Sequence, residues 1–242
     1  MSIVPSQPGI QPMPFNLRSE QPVQRDRLTA ALRIIWVIPQ AFILFFVYIA
    51  AFFVAVAGWF GALFTGELPD FAEEFLGGVI RWSTRVQGYY YFLTDVYPPF
   101  TIEEDVNYPI VIEIPPRAPL NRVAVLFRII LVIPGAIVGG VVGAGLGIVS
   151  IASWAMITFT GALPIPLFEA ARVVIRFQTR LAGYFWMLTA EYPWGVLGDS
   201  TATHGAESTD GGDWSITLSE GGKYAMYVVI AIGVVYVLIN YV

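Results

Sequence analysis

Cysteine is absent from the 242 residues, and histidine occurs once, at His204. The first absence removes disulfide scaffolds, thiolate metal sites and cysteine nucleophiles. The second leaves no histidine-rich metal site and no Ser-His-Asp triad in an apolar region. Charge is scarce too: Asp, Glu, Lys and Arg make up 13% of the chain, against about 25% in an average soluble domain. With 56% hydrophobic residues and a mean hydropathy of +0.66, the chain lacks the polar residues to clothe a water-facing surface. It reads as an integral membrane protein. A net charge of −5 and a pI near 4.9 run against a nucleic-acid partner. No basic start, short apolar core and small-residue cleavage site opens the chain, so no signal peptide is expected.

Two long apolar runs are present. Residues 34–66 and 129–168 carry no charge over 33 and 40 positions, well beyond the roughly 20 that a spanning helix needs. A third run, 224–242, has the length of one span and follows Lys223. A straight 40-residue helix would be about 60 Å long, twice the hydrocarbon thickness, so each long run is read as a hairpin of two spans. The bends would fall near Tyr48 to Phe52 and at Gly143 to Gly147. The competing reading is one long tilted helix per run, with residues 28–38 at the interface before Pro39. Arginine placement favours hairpins, because basic residues cluster on the cytoplasmic side. Arg25, Arg27 and Arg33 precede the first run. Arg81, Arg85, Arg117, Arg122 and Arg128 lie between the runs, and Arg172, Arg176 and Arg180 follow the second. If both runs return to their starting side, all of these are cytoplasmic.

Sliding the sequence by 95 residues aligns 27–98 with 122–193 without a gap, at 29 identities in 72 positions. Arg27, Arg33, Pro39, Trp59 and Gly66 fall on Arg122, Arg128, Pro134, Trp154 and Gly161. Arg81, Arg85, Tyr89, Thr94 and Tyr97 fall on Arg176, Arg180, Tyr184, Thr189 and Tyr192. One unit has been duplicated whole, and two copies obeying the same arginine signals should lie parallel. The alternating, β-branched stretch 108–114, with 14–17 opposite it at the repeat offset and the similar 214–218, each ahead of a membrane segment, points to a small cytoplasmic β element.

The expected fold is therefore all-α and integral to the membrane. It comprises two parallel repeats, each a transmembrane hairpin plus an interfacial amphipathic helix, and one C-terminal transmembrane helix. The boundaries are a polar Pro-rich segment at 1–26, repeat one at 27–100, a connector at 101–121, repeat two at 122–194, a polar tail at 195–222 and the last helix at 223–242. The N-terminus and the tail would be cytoplasmic and the C-terminus outside.

Residues 70–95 set Phe71, Phe75, Val79, Trp82, Val86, Tyr89 and Leu93 on one helical face, against Glu74, Arg81 and Arg85 on the other. The second copy repeats this with Arg172, Arg176 and Arg180. Such helices lie in the interface plane. Their arginines either anchor the protein and pair with Glu or meet anionic lipid or a partner, each contributing on the order of 1 kcal/mol at an anionic surface. Gly135, Gly139, Gly143 and Gly147 recur every four residues, a spacing that lets another helix approach closely. Packing of copy one into this groove, docking of a separate subunit and binding of a lipid tail are the readings. Within the long runs only Tyr48 is titratable and Gln40 is the only amide. That counts against a pump, an ion channel or an intramembrane hydrolase and leaves hydrophobic lipid handling open. His204 and the acidic trio Glu103-Glu104-Asp105 read as solvated loops, the latter lacking the glycine turn and alternating ligands of a calcium site.

The pattern Phe64-Thr65-Gly66, Arg81-Trp82, Arg85-Val86 and Leu93-Thr94-Asp95-Val96-Tyr97-Pro98-Pro99-Phe100 resembles domain-of-unknown-function family 4389, found in bacterial, largely actinobacterial, membrane proteins. Copy two departs from it at Phe177, Leu181, Ala190 and Trp194. The resemblance implies a cytoplasmic-membrane protein and supplies no activity, cofactor or catalytic residue. The expected function is a non-catalytic accessory or scaffolding subunit of a larger membrane complex, with other membrane-protein subunits and lipids as partners. The alternative is a lipid-binding or lipid-transfer protein. No cofactor, metal or enzymatic activity is expected, since no acid, base or nucleophile constellation is visible.

Overall fold

The computed structural model describes residues 16–19, 25–115, 117–198 and 216–241. His204, most of the N-terminal segment and most of the polar tail lie outside them. The elements in chain order are β1 (Asn16–Ser19), α1 (Arg27–Thr65), α2 (Asp70–Tyr90), β2 (Ile110–Glu113), α3 (Arg122–Leu126), α4 (Arg128–Thr160), α5 (Ile165–Phe185) and α6 (Glu220–Tyr241). Helices α1, α4 and α6 are long and apolar enough to cross a membrane.

The expected bend inside each apolar run does not occur. α1 is one helix of 39 residues, about 58 Å at 1.5 Å per residue, and α4 continues through Gly143 and Gly147. Each repeat is still a helical hairpin, but its return leg is the amphipathic helix. α1 closes on Gly66 at φ 85° and α4 on Gly161 at φ 77°, left-handed positions that glycine adopts without a Cβ penalty. This is what the repeated Phe-Thr-Gly encodes. The threonine hydroxyl ties back one turn, Thr65 to the Gly61 carbonyl at 2.9 Å and Thr160 to that of Met156 at 2.6 Å. The chain then reverses, and α2 runs back along α1. A Cβ on Gly58 would meet Leu68 and Ala72, the Trp82 indole donates to Gln40 Oε1 at 2.9 Å, and the Arg33 guanidinium donates to the Tyr89 carbonyl.

The copies are not parallel. Arg27 donates to the Thr160 carbonyl at 3.1 Å, and its duplicate Arg122 donates to that of Thr65 at 3.3 Å. Arg25 N–H reaches Gly161 O at 3.0 Å, and Leu120 N–H reaches Gly66 O at 2.7 Å. Each copy thus starts where the other turns, so α1 and α4 are antiparallel across an internal pseudo-dyad. Two further contacts lie on that axis. Thr84 meets its duplicate Thr179 at 3.1 Å where α2 crosses α5, and the antiparallel β1–β2 ribbon is centred on the duplicated pair Leu17 and Ile112. Two of the three expected strands therefore form the β element, while 216–219 is not strand.

α2 lies between α1 and the connector. One face carries Ala72, Trp82 and Val86 toward α1. The opposite face carries Gly77, Gly78 and Gly88, where added Cβ atoms would strike Ile114, Ile102 and Ile110. The molecule is thus layered along the dyad: α1 and α4, then α2 and α5, then the ribbon and connector.

The amphipathic helices are packed within the protein, with many residues of both faces buried. Arg85, Arg176 and Arg180 are at most 2% exposed. Arg85 donates to the Glu103 carbonyl at 2.8 Å, and Arg81 lies 3.9 Å from Glu104. The apolar runs instead carry the exposed side chains, including Phe42, Phe45, Phe52, Phe53 and Phe60 on α1 and Ile129, Ile137, Ile151 and Phe159 on α4. The arginines of α2 are thus packed against the connector, which a single sequence cannot tell from a polar face turned to water.

Candidate functional site

The four-residue glycine spacing is filled from within its own copy. Cβ atoms on Gly135 and Gly139 would meet Leu181 of α5 at 2.9 Å, and one on Gly143 would meet Gln178. Gly147 faces open space. Copy one does not enter this groove, because α5 returns along α4 and occupies it. The close crossing of α4 with α6 uses another pair, Gly145 and Gly233, where a Cβ on either would fall on the carbonyl of Val229 or Val141.

The residues most characteristic of the repeat converge at the far end of each hairpin. Just past the end of α2 stands Phe92 at φ 65°, and just past α5 Met187 at φ 64°, a left-handed conformation that costs a non-glycine residue about 1–2 kcal/mol. The turn is closed by Leu93 N–H to Gly88 O at 2.8 Å and by Leu188 N–H to Gly183 O at 3.0 Å. It leaves carbonyls pointing at a buried arginine of the facing helix, Arg33 in copy one and Arg128 in copy two.

Arg33, 1% exposed, donates to the carbonyls of Tyr89 and Thr94, the latter at 3.1 Å, and to the Asp95 carboxylate. Its guanidinium lies 4.5 Å from both the Tyr89 and the Phe92 ring centres, a cation–π arrangement. Arg25 joins from the chain entry, 3.6 Å from Asp95, with a hydrogen bond to the Phe92 carbonyl. Burial pulls the Arg25 guanidinium down to about 10, partly opposed by the Asp95 charge.

Copy two repeats this frame without its acid. Arg128, 3% exposed, lies 3.8 Å over the Tyr184 ring and donates to the Thr189 carbonyl at 2.6 Å. Position 190 is alanine, and Leu120 stands where copy one has Arg25. Among the described residues the Nε atoms of Arg33 and Arg128 both lack an acceptor.

Beside each arginine is a cavity, and the dyad relates the two. The smaller, about 210 Å³, is lined by Arg33, Ile34, Tyr90 and Phe92 of copy one with Ser150, Ile151 and Trp154 of copy two. The larger, about 430 Å³, takes the duplicates Arg128, Ile129, Phe185 and Met187 with Ala55, Val56 and Trp59 of the other copy, and adds Tyr48, Phe52 and Trp186. Trp59 is held by donating to the Val125 carbonyl at 2.9 Å, freed where the helix breaks at Phe127 between α3 and α4. The walls are apolar and aromatic, with one guanidinium and backbone carbonyls as the polar groups. Among the described residues no group of three or more His, Cys, Asp or Glu gathers as a metal site.

The arginines at 81, 85, 172, 176 and 180 belong to the interior layer and line neither cavity. Sequence reasoning missed Arg33 and Arg128 as site residues. They recur at the repeat offset, yet they read as flanking charges ahead of apolar runs. The available signal was their pairing with Tyr-x4-Thr at a constant distance in both copies.

Fold and site together define a duplicated helical-hairpin protein, α-helical throughout its main body, with three helices able to cross a membrane. It belongs to the family described as Domain of unknown function (DUF4389), whose model matches twice, at residues 27–101 and 122–196. No curated protein and no solved structure matches the chain.

Proposed function

We propose that the protein is a non-catalytic lipid-binding protein of the bacterial cytoplasmic membrane. The observation that carries this reading is the pair of dyad-related cavities, each opening among exposed apolar side chains and each holding one buried guanidinium. Such a cavity suits an amphiphile: an apolar tail meets Phe52, Val56 and Ile129, and a polar end meets the arginine. One cation among carbonyls and aromatic rings offers binding, without the acid–base pair that turnover requires.

The layering supports an orientation. Glu103 and Glu104 are exposed beside Arg85 and Arg81, halfway along α2. If α1 and α4 crossed the bilayer upright, the dyad would lie in the membrane plane, and this acidic connector would sit at mid-depth. An aspartate at the centre of a spanning helix already costs about 2.5–3.5 kcal/mol on insertion scales. With the dyad along the membrane normal, the connector and ribbon face water and the exposed faces of α1 and α4 face lipid. Both copies then meet the bilayer in the same way although their helices are antiparallel, and their arginines share the cytoplasmic side. The apolar layer lies within the membrane and returns to the side from which it entered.

Purification in a mild detergent followed by native mass spectrometry tests this reading. Retained phospholipid in a chain free of other proteins is the expected outcome, and lipid-free protein after purification from native membrane would defeat it. A second reading, an accessory subunit, rests on a separate feature. The seat that α6 takes on α4 at Val141 and Gly145 corresponds on α1 to Phe46 and Ala50, which are exposed. A stoichiometric membrane protein in the same purification would favour that reading.

A further inference from the structure

Resting on the lipid-binding reading, we propose that the larger cavity takes the oxyanion end of an amphiphile, a phosphate or carboxylate, on Arg128, with its apolar tail leaving past Tyr48, Phe52 and Val56. The smaller cavity differs because its arginine already holds an internal anion.

Arg33 and Arg128 are duplicates, equally buried, each over a tyrosine ring and each bonded to a threonine carbonyl. A buried guanidinium without a counter-charge carries a desolvation penalty of several kcal/mol. In copy one Asp95 offsets it, bonded directly to Arg33. In copy two the same backbone position is Ala190, and the neighbouring Glu191 is exposed. Among the described residues no carboxylate pairs with Arg128. The cavity beside it is also the larger, about 430 Å³ against about 210 Å³, within the range of small-molecule sites. Phe52, Ile129 and Phe185 are exposed at its mouth. Arg128 lines this cavity, guanidinium donors match a carboxylate or phosphate, and the apolar walls favour an anion carried on a tail over a free hydrated one.

The full-length protein in nanodiscs is exchanged against phosphatidylglycerol, phosphatidylcholine of the same acyl chains, and inorganic phosphate, with bound ligand read by native mass spectrometry. Wild type is expected to retain phosphatidylglycerol at least about tenfold over phosphatidylcholine, the scale of a charge-assisted hydrogen bond. Arg128→Gln and Ala190→Asp should both abolish the preference. Ala190→Asp is the decisive variant, because it installs the pair that copy one already folds around. Asp95→Ala should add a second anionic equivalent by exposing Arg33. Equal retention of the two lipids by wild type, or a preference that survives Ala190→Asp, overturns the proposal and leaves lipid binding standing. Arg128-dependent binding of inorganic phosphate with no preference between the lipids overturns the amphiphile. No lipid retained at all defeats the lipid-binding reading itself.

Discussion

Thr84 and Thr179 occupy the same position in the two copies, and their hydroxyls meet at 3.1 Å in the interior of the protein. A residue can touch its own duplicate only on the symmetry axis, so this bond marks where α2 and α5 cross. Thr179 also donates to the Ile175 carbonyl at 2.9 Å, which leaves Thr84 as the donor across the axis.

Replacing either threonine by valine should lower stability by about 1 kcal/mol, the net worth of one buried hydrogen bond. The double variant should cost little more than either single one, since both remove the same interaction. Thermal unfolding of the four proteins of the cycle checks this, and additive losses would place the two hydroxyls in separate bonds.

Glu67 and Ala162 are duplicates in the turns that close α1 and α4, at opposite ends of the layer, and both are exposed. The chain has no cysteine, so Glu67→Cys and Ala162→Cys can be labelled singly with a membrane-impermeant thiol reagent. Modification of both from the cytoplasmic side is expected. Labelling from opposite sides would mean that α1 and α4 stand upright across the bilayer.

Gly145 and Gly233 bring the backbones of α4 and α6 together, whereas Gly147 faces open space. Gly145→Leu should destabilise by about 1–3 kcal/mol through overpacking and should loosen α6. Gly147→Leu should be neutral, or stabilising by up to about 0.8 kcal/mol from helix propensity. Proteolytic release of α6 together with the melting temperature separates the two variants, and equal effects would remove the α4–α6 crossing from this account.

The Asp26 carboxylate caps α1, accepting from Leu28 N–H at 3.0 Å and from the Thr29 hydroxyl at 2.6 Å. These bonds hold it below the usual carboxylate range. A depressed acid adds stability above its unfolded value, about 3.9, and loses it as pH falls through the lower folded value. The first turn of α1 should therefore fray as pH falls below about 3.9, and Asp26→Ala should flatten that dependence. Hydrogen exchange at Leu28 and Thr29 across the range reports it, and an unchanged slope in the variant would assign the effect to another group.

Much of this was legible in the residues. The duplication, the helix ends at Phe-Thr-Gly and the strand within the connector are local patterns, set by residue order, by glycine's conformational freedom and by alternation. That each apolar run is followed by a leg running back along it was not legible: the residues placed the turn inside the run, whereas α2 and α5 make the return. An apolar run of 40 residues and an amphipathic helix of 21 look like membrane and interface when read alone. Whether a polar face meets water or another polar face depends on what packs there, and here the connector does.

Composition and the constant offset of 95 residues determined by themselves that this chain is rich in apolar helices and built twice from one unit, because both are properties of residue order alone. Only the tertiary structure decided that the copies oppose one another about a dyad, that α2 and α5 form the middle layer, and that Arg33 finds Asp95 while Arg128 finds no acid. The physical reason is that a charge's neighbours are set by folding across more than 60 residues of chain, a separation at which sequence spacing carries no distance.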